Sequence, residues 1–133
     1  MKEQLLNVLG TMSGTSLDGI DMSCIKTDGM KINLTNENFF VKYSKKTTDL
    51  LYDALNLNEK IFNNFYLLNK LNKIVTIEYA QAIKNLPVFK KINLIGFHGQ
   101  TIFHNPKKKI SLQLGDGQLL ANLLSKNVIF NFR

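Results

Sequence analysis

Cysteine is nearly absent: Cys24 stands alone among 133 residues, which excludes an internal disulfide and a cysteine-based zinc site and agrees with a reducing compartment. Long apolar runs are absent too. Nothing approaches the roughly 18–20 residues that span a bilayer. The opening MKEQLLNVLG lacks a long apolar segment ending in a small-residue cleavage site. The chain therefore reads as cytoplasmic, with no membrane partner. Basic residues outnumber acidic ones to give a net charge of +7, but they are scattered lysines rather than a patch. The one run, Lys107 to Lys109, follows Asn105-Pro106 and reads as a solvated turn. Aromatic residues do not interleave with it and no nucleic-acid module signature is present, so no nucleic-acid partner is expected.

What is present begins with GTMSGTSLDGID, Gly10 to Asp21, a turn rich in glycine and hydroxyl groups between two apolar runs. Before it stand Leu5, Leu6, Val8 and Leu9; after it Ile20, Met22, Cys24 and Ile25 alternate with polar residues as in a half-buried strand. Gly14 and Gly19 can take positive φ or admit a ligand to the backbone, and Thr15 and Ser16 offer hydroxyls and amides to an anion. The turn is not the loop of the P-loop NTPases, which would place Lys and then Ser or Thr after its second glycine and run into a helix. Here Gly19 leads to Ile20, Asp21 and a strand pattern. A strand, a Gly/Thr/Ser turn and a strand is how the acetate and sugar kinase, Hsp70 and actin superfamily holds ATP phosphates, with carboxylates nearby to hold Mg²⁺ through water. The alternative is a hairpin that needs glycine for geometry alone.

Further along, Asp28-Gly29 marks a turn, and Ile32 to Tyr43 predicts the third strand of a meander. Thr47-Thr48-Asp49 offers a helix N-cap before Leu50, Leu51, Ala54 and Leu55. From Glu59 to Leu86 the apolar spacing Ile61, Phe65, Leu68, Leu71, Val75, Ala82 predicts one long helix stopped by Pro87, its stripe a core face. Lys91 to Phe97 reads as a buried strand delivering His98-Gly99-Gln100-Thr101 to its C-terminal end, where ligands bind in open α/β sheets. His98 is thereby a site candidate, whereas His104 before Asn105-Pro106 reads as structural. Ile110 to Leu114 is a strand, Gly115-Asp116-Gly117 leads into a helix over Gln118–Ser125, and Val128 to Phe132 closes as a strand. Asp116 is either a plain N-cap or a carboxylate aimed into the same cleft as His98. No repeat, linker or low-complexity stretch divides the chain.

Four stretches together carry a family resemblance: MSGTSLDGID (Met12 to Asp21), GFHGQT (Gly96 to Thr101) with His104 and Pro106, LQLGD (Leu112 to Asp116), and the closing Phe132-Arg133. They resemble, in order and spacing, the N-terminal part of the anhydro-N-acetylmuramic acid kinases, bacterial enzymes of peptidoglycan recycling and amino-sugar catabolism. The resemblance implies an α/β fold, the first lobe of a two-lobed ribonuclease-H-like (actin-like ATPase) architecture with a mixed five-stranded sheet and flanking helices. It implies a reaction in which ATP and water turn 1,6-anhydro-N-acetylmuramic acid into N-acetylmuramic acid 6-phosphate. ATP and Mg²⁺ are the implied cofactors and the anhydro-sugar the small-molecule substrate. The ATP phosphate segment carries over onto Gly14, Thr15, Ser16, Leu17, Asp18, Gly19, Ile20 and Asp21, with Asp18 and Asp21 as the carboxylates for Mg²⁺ through water. His98, Gln100, Thr101 and Asp116 fall in motifs that line or support the sugar cleft.

The family pattern continues past the Phe-Arg pair to the catalytic aspartate and a Gly-Gly-Gln-Gly motif, so residues 1–133 are expected to be one N-terminal lobe, truncated before that aspartate and inactive alone. Asn131 stands where the family usually has Asp. The full-length form is expected to be a homodimer. The rival expectation is a non-catalytic sugar- or phosphate-binding module derived from that lobe.

Overall fold

The computed structural model describes residues 4–133. Three antiparallel strands open it: β1 (Leu6–Ser13), β2 (Gly19–Thr27) and β3 (Ile32–Lys42). The period-2 alternation places Leu9, Thr11 and Ser13 of β1 and Ile20, Met22 and Cys24 of β2 on one buried face, while Met12, Asp21 and Ser23 are exposed. Helices α1 (Lys45–Asn56) and α2 (Phe65–Lys84) follow, then strands β4 (Leu94–Asn105) and β5 (Ile110–Leu114), helix α3 (Gly117–Leu124) and the short β6 (Asn127–Ile129). The sheet runs β3-β2-β1-β4-β5, with β6 beside β4. Strand β4 pairs parallel with β1 and β6 and antiparallel with β5. The expected mixed sheet with flanking helices is present, with a sixth short strand added to the five.

Helix α2 seals the buried face. Leu71, Val75, Tyr79 and Ile83 recur at four-residue spacing, all are fully buried, and the Tyr79 ring meets Phe97 of β4 edge-on at 4.8 Å between centroids.

Several boundaries differ from expectation. Ser44 rather than Thr47 caps α1, accepting from the Thr47 amide at 3.3 Å, which frees Thr47 to pack inward. The long helix is broken: Asn58–Asn63 is a 3₁₀ segment, and the Asn64 side chain caps α2 by accepting from Leu67 N–H at 3.0 Å. Strand β4 does not stop at Phe97 but continues to Asn105, because its parallel ladder with β1 ends at Gln100 just as the antiparallel ladder with β5 begins. The closing strand ends at Ile129; Asn131 sits at φ 64°, a left-handed conformation that Asn tolerates and a strand cannot contain.

Candidate functional site

The turn between β1 and β2 spans residues 14–18. Leu17 N–H donates to the Gly14 carbonyl at 3.2 Å, Ser16 Oγ donates to Asp18 Oδ1 at 2.7 Å, and Tyr43 N–H donates to the Asp18 carbonyl at 3.3 Å. Leu17 holds φ 57° with its side chain fully buried. A leucine there costs about 1–2 kcal/mol, a cost that burial of the side chain offsets by roughly 1.5–3 kcal/mol. The two glycines have different reasons. Neither takes a positive φ. A Cβ on Gly19 would run into the Val41 carbonyl and stand 2.9 Å from Lys42 Cα, whereas one on Gly14 would meet nothing within 4 Å. Gly19 is thus required by the sheet, and Gly14 leaves open space beside the turn. Of the eight residues Gly14 to Asp21, Leu17 and Ile20 send their side chains into the core, while Thr15, Ser16, Asp18 and Asp21 are exposed.

Beneath the turn lies a buried hydroxyl chain. Tyr43 OH donates to Ser13 Oγ at 3.0 Å, Ser13 Oγ lies 2.6 Å from Tyr79 OH, and Tyr79 OH donates to the Gly99 carbonyl at 3.2 Å. With Gly99 as terminal acceptor, each hydroxyl donates to the next in the order Tyr43, Ser13, Tyr79. Burial is the leading cause that pushes both phenols above their ordinary value, so both remain protonated donors. Gln100 is fully buried beside this chain; its Nε2 donates to the Gly14 carbonyl at 2.7 Å and to the Thr101 carbonyl at 2.8 Å, and its Oε1 has no protein partner.

Across β4 from the turn a crevice of about 220 Å³ opens, lined by His98, Gln113, Gly115, Phe130, Asn131 and Arg133 among others. Its origin is topological. Strand β6 borders β4 only as far as Gly96 and β5 only from Gln100, so Phe97 to Gly99 lie where β4 changes partner on that edge. Gly99 at φ 78° and Gly115 at φ 130° shape the gap; a Cβ on either would strike, respectively, the Leu114 carbonyl or the Phe97 ring. His98 Nδ1 lies 3.1 Å from the Gly99 carbonyl, which can only accept, so Nδ1 carries the proton and Nε2, buried without a protein partner, is a free acceptor in the neutral ring.

Asp116 sits between two lining glycines but is not itself in the lining: its carboxylate caps α3, accepting from Leu119 N–H at 3.0 Å. Thr101 is buried, its Oγ1 accepting from Gln113 Nε2 at 3.4 Å. The structure therefore brings His98, Gln100 and the 14–18 turn around one segment of β4, with Asp116 turned to its own helix.

Sequence reasoning passed over the residues that hold this arrangement. Asn72 Oδ1 accepts from Gly115 N–H at 2.9 Å, and Thr76 Oγ1 accepts from Asp116 N–H at 2.8 Å, so α2 pins the turn that borders the crevice. Their signal was available: Asn72 and Thr76 are polar residues at i, i+4 beside an apolar helical stripe. Tyr43 and Tyr79 gave none, since tyrosine in a core stripe is ordinary.

The family model for anhydro-N-acetylmuramic acid kinase matches residues 6–133, nearly the whole chain. The chain belongs to the anhydro-N-acetylmuramic acid kinase family. Relatives bearing that name include a protein of Pelagibacter ubique (strain HTCC1062), 43% identical over 98% of this chain and 36% of the relative. Another, from Bradyrhizobium diazoefficiens, is 34% identical over 97% of this chain and 37% of its own length. One from Rhodopseudomonas palustris (strain BisB18) is 32% identical over 96% and 37%. The chain thus spans little more than a third of these relatives. Among the described residues no helix is long and apolar enough to cross a membrane.

Proposed function

We propose that these residues form the phosphate-binding and sugar-facing lobe of an ATP-dependent kinase that converts 1,6-anhydro-N-acetylmuramic acid and water to N-acetylmuramic acid 6-phosphate. The observation that carries this reading is the placement of an open Gly/Thr/Ser turn and the His98 crevice on opposite edges of β4, whose Gln100 is level with Ser13 on one side and Leu114 on the other. Two interstrand spacings, about 10 Å, separate them. A phosphoryl donor on the turn and a sugar at the crevice would be neighbours.

The residues fit the groups they would hold. Gly14 leaves room for a phosphate to reach the backbone, and Thr15 and Ser16 are exposed beside it. The exposed Asp18 and Asp21 are the carboxylates that would hold Mg²⁺ through water. Mg²⁺ so held would neutralise charge on the phosphates. His98 Nε2 is an acceptor for a sugar hydroxyl; Thr101 and Asp116 support the crevice from behind and from its rim.

Phosphoryl transfer rests on positioning and electrostatics, and the general base for water in this reading is an aspartate outside these 133 residues. We therefore propose that the chain tested by itself turns nothing over. Incubated with ATP and the anhydro-sugar, it should yield no sugar 6-phosphate by mass spectrometry, and the remaining two-thirds of the Pelagibacter relative added in trans should restore product. Turnover by the chain alone near an intact relative's rate would overturn the reading. Sugar binding with no restoration would favour the rival, a non-catalytic binding module. The homodimer expected of the full-length form belongs to the same proposal.

A further inference from the structure

We propose that Gln100 is a positioning residue that locks the Gly14–Thr15 peptide in the orientation an anion requires. The inference rests on the phosphate reading of the turn and goes beyond it to the device that sets the turn. A trans peptide is planar, so the N–H of one residue points opposite to the carbonyl of the residue before it. The Gly14 carbonyl accepts from the buried Gln100 Nε2 at 2.7 Å and from Leu17 N–H at 3.2 Å, so it points into the protein. Thr15 N–H must then point away from the core, toward the exposed side of the turn. Flipping that peptide would present a carbonyl to an incoming phosphate, a repulsive contact in place of a donor. Glycine makes such a flip easy, because no Cβ at Gly14 resists it.

The side-chain type follows from this role. Both Nε2 protons are used, on Gly14 and on Thr101. Glutamate would offer only acceptors to the two carbonyls, and methionine, of similar reach, would offer no donor. Because β4 also carries His98 two residues earlier, the orientation of the turn is tied to the strand that borders the crevice.

The test uses the ¹⁵N-labelled chain. In the wild type, the Gln100 side-chain amide protons should exchange slowly with solvent; rapid exchange would overturn the proposal without any variant. In Gln100→Met, the ligand-free amide signals of Thr15 to Leu17 should shift or broaden and Leu17 N–H should lose protection, while Mg·ATP affinity falls at least about tenfold. Ile92→Val, a core change at the opposite end of β1 and β4 from the turn, controls for destabilisation and should leave those signals in place. Unchanged turn signals in Gln100→Met, or the same changes in Ile92→Val, would overturn the lock. Wild-type Mg·ATP that leaves the turn untouched while the ligand-free signals respond to Gln100→Met would instead sink the phosphate reading and leave the lock standing.

Discussion

Two glycines five residues apart offer a direct comparison, because the same substitution should have opposite consequences. At Gly19 an added methyl is driven into the backbone of β3, against the Val41 carbonyl and 2.9 Å from Lys42 Cα. A strand held by pairing on both sides has little room to yield, and overpacking of this kind costs about 1–3 kcal/mol or more. For a chain of this length each kcal/mol moves the melting temperature by about 3–5 °C, so Gly19→Ala should melt roughly 3–15 °C lower. At Gly14 an added Cβ meets nothing within 4 Å and φ is ordinary, so Gly14→Val should stay within about 0.5 kcal/mol of wild type, or about 2 °C. Its isopropyl group would instead occupy the space a phosphate needs. Differential scanning calorimetry and an NMR titration with Mg·ATP on each variant separate these effects. Equal melting losses in the two variants, or undiminished ATP contact in Gly14→Val, would refute the division of roles.

Leu17→Ala should cost about 2–4 kcal/mol by emptying a fully buried site, and Leu17→Gly should cost no more, because relief of the positive φ compensates for the smaller side chain; urea unfolding decides, and a much less stable Gly variant would remove the strain argument. Tyr43 and Tyr79 have folded pKa values above the ordinary 10.0, so above about pH 10 the unfolded chain releases protons the native one retains and stability falls, at up to about 1.4 kcal/mol per pH unit for each group. Below pH 10 both contributions are intact. Tyr43→Phe and Tyr79→Phe should each flatten the alkaline limb of a stability–pH curve, and an unaltered limb in both would contradict the burial of neutral phenols.

The meander was legible because Ile20, Met22 and Cys24 alternate with polar residues, and β5 was legible to the residue at Ile110–Leu114. The break before α2 was hidden because Ile61 and Phe65 keep helical spacing across it; the warning was Asn64, a good cap in the middle of a predicted helix. The course of β4 was not readable. His98-Gly99-Gln100-Thr101 looks like the end of a strand, but Gly99 at positive φ lets the chain change partners and go on. That exchange also decides the depth of Gln100, so its bond to Gly14 depends on a pairing that no local pattern records. The turn itself was legible in composition, though not the separate duties of Gly14, Leu17 and Gly19, which are set by β3 and the core.

If phosphate binds the turn and sugar the crevice, they lie on opposite edges of β4. Chemical-shift mapping of the ¹⁵N-labelled chain decides this, with Mg·ATP and 1,6-anhydro-N-acetylmuramic acid titrated separately to millimolar concentration. ATP should move the amides of Gly14, Thr15, Ser16 and Asp18, and the sugar should move His98 and its neighbours at Gly115 and Asn131. Shifts confined to other surfaces, or none with either ligand at saturation of an intact relative, would contradict it.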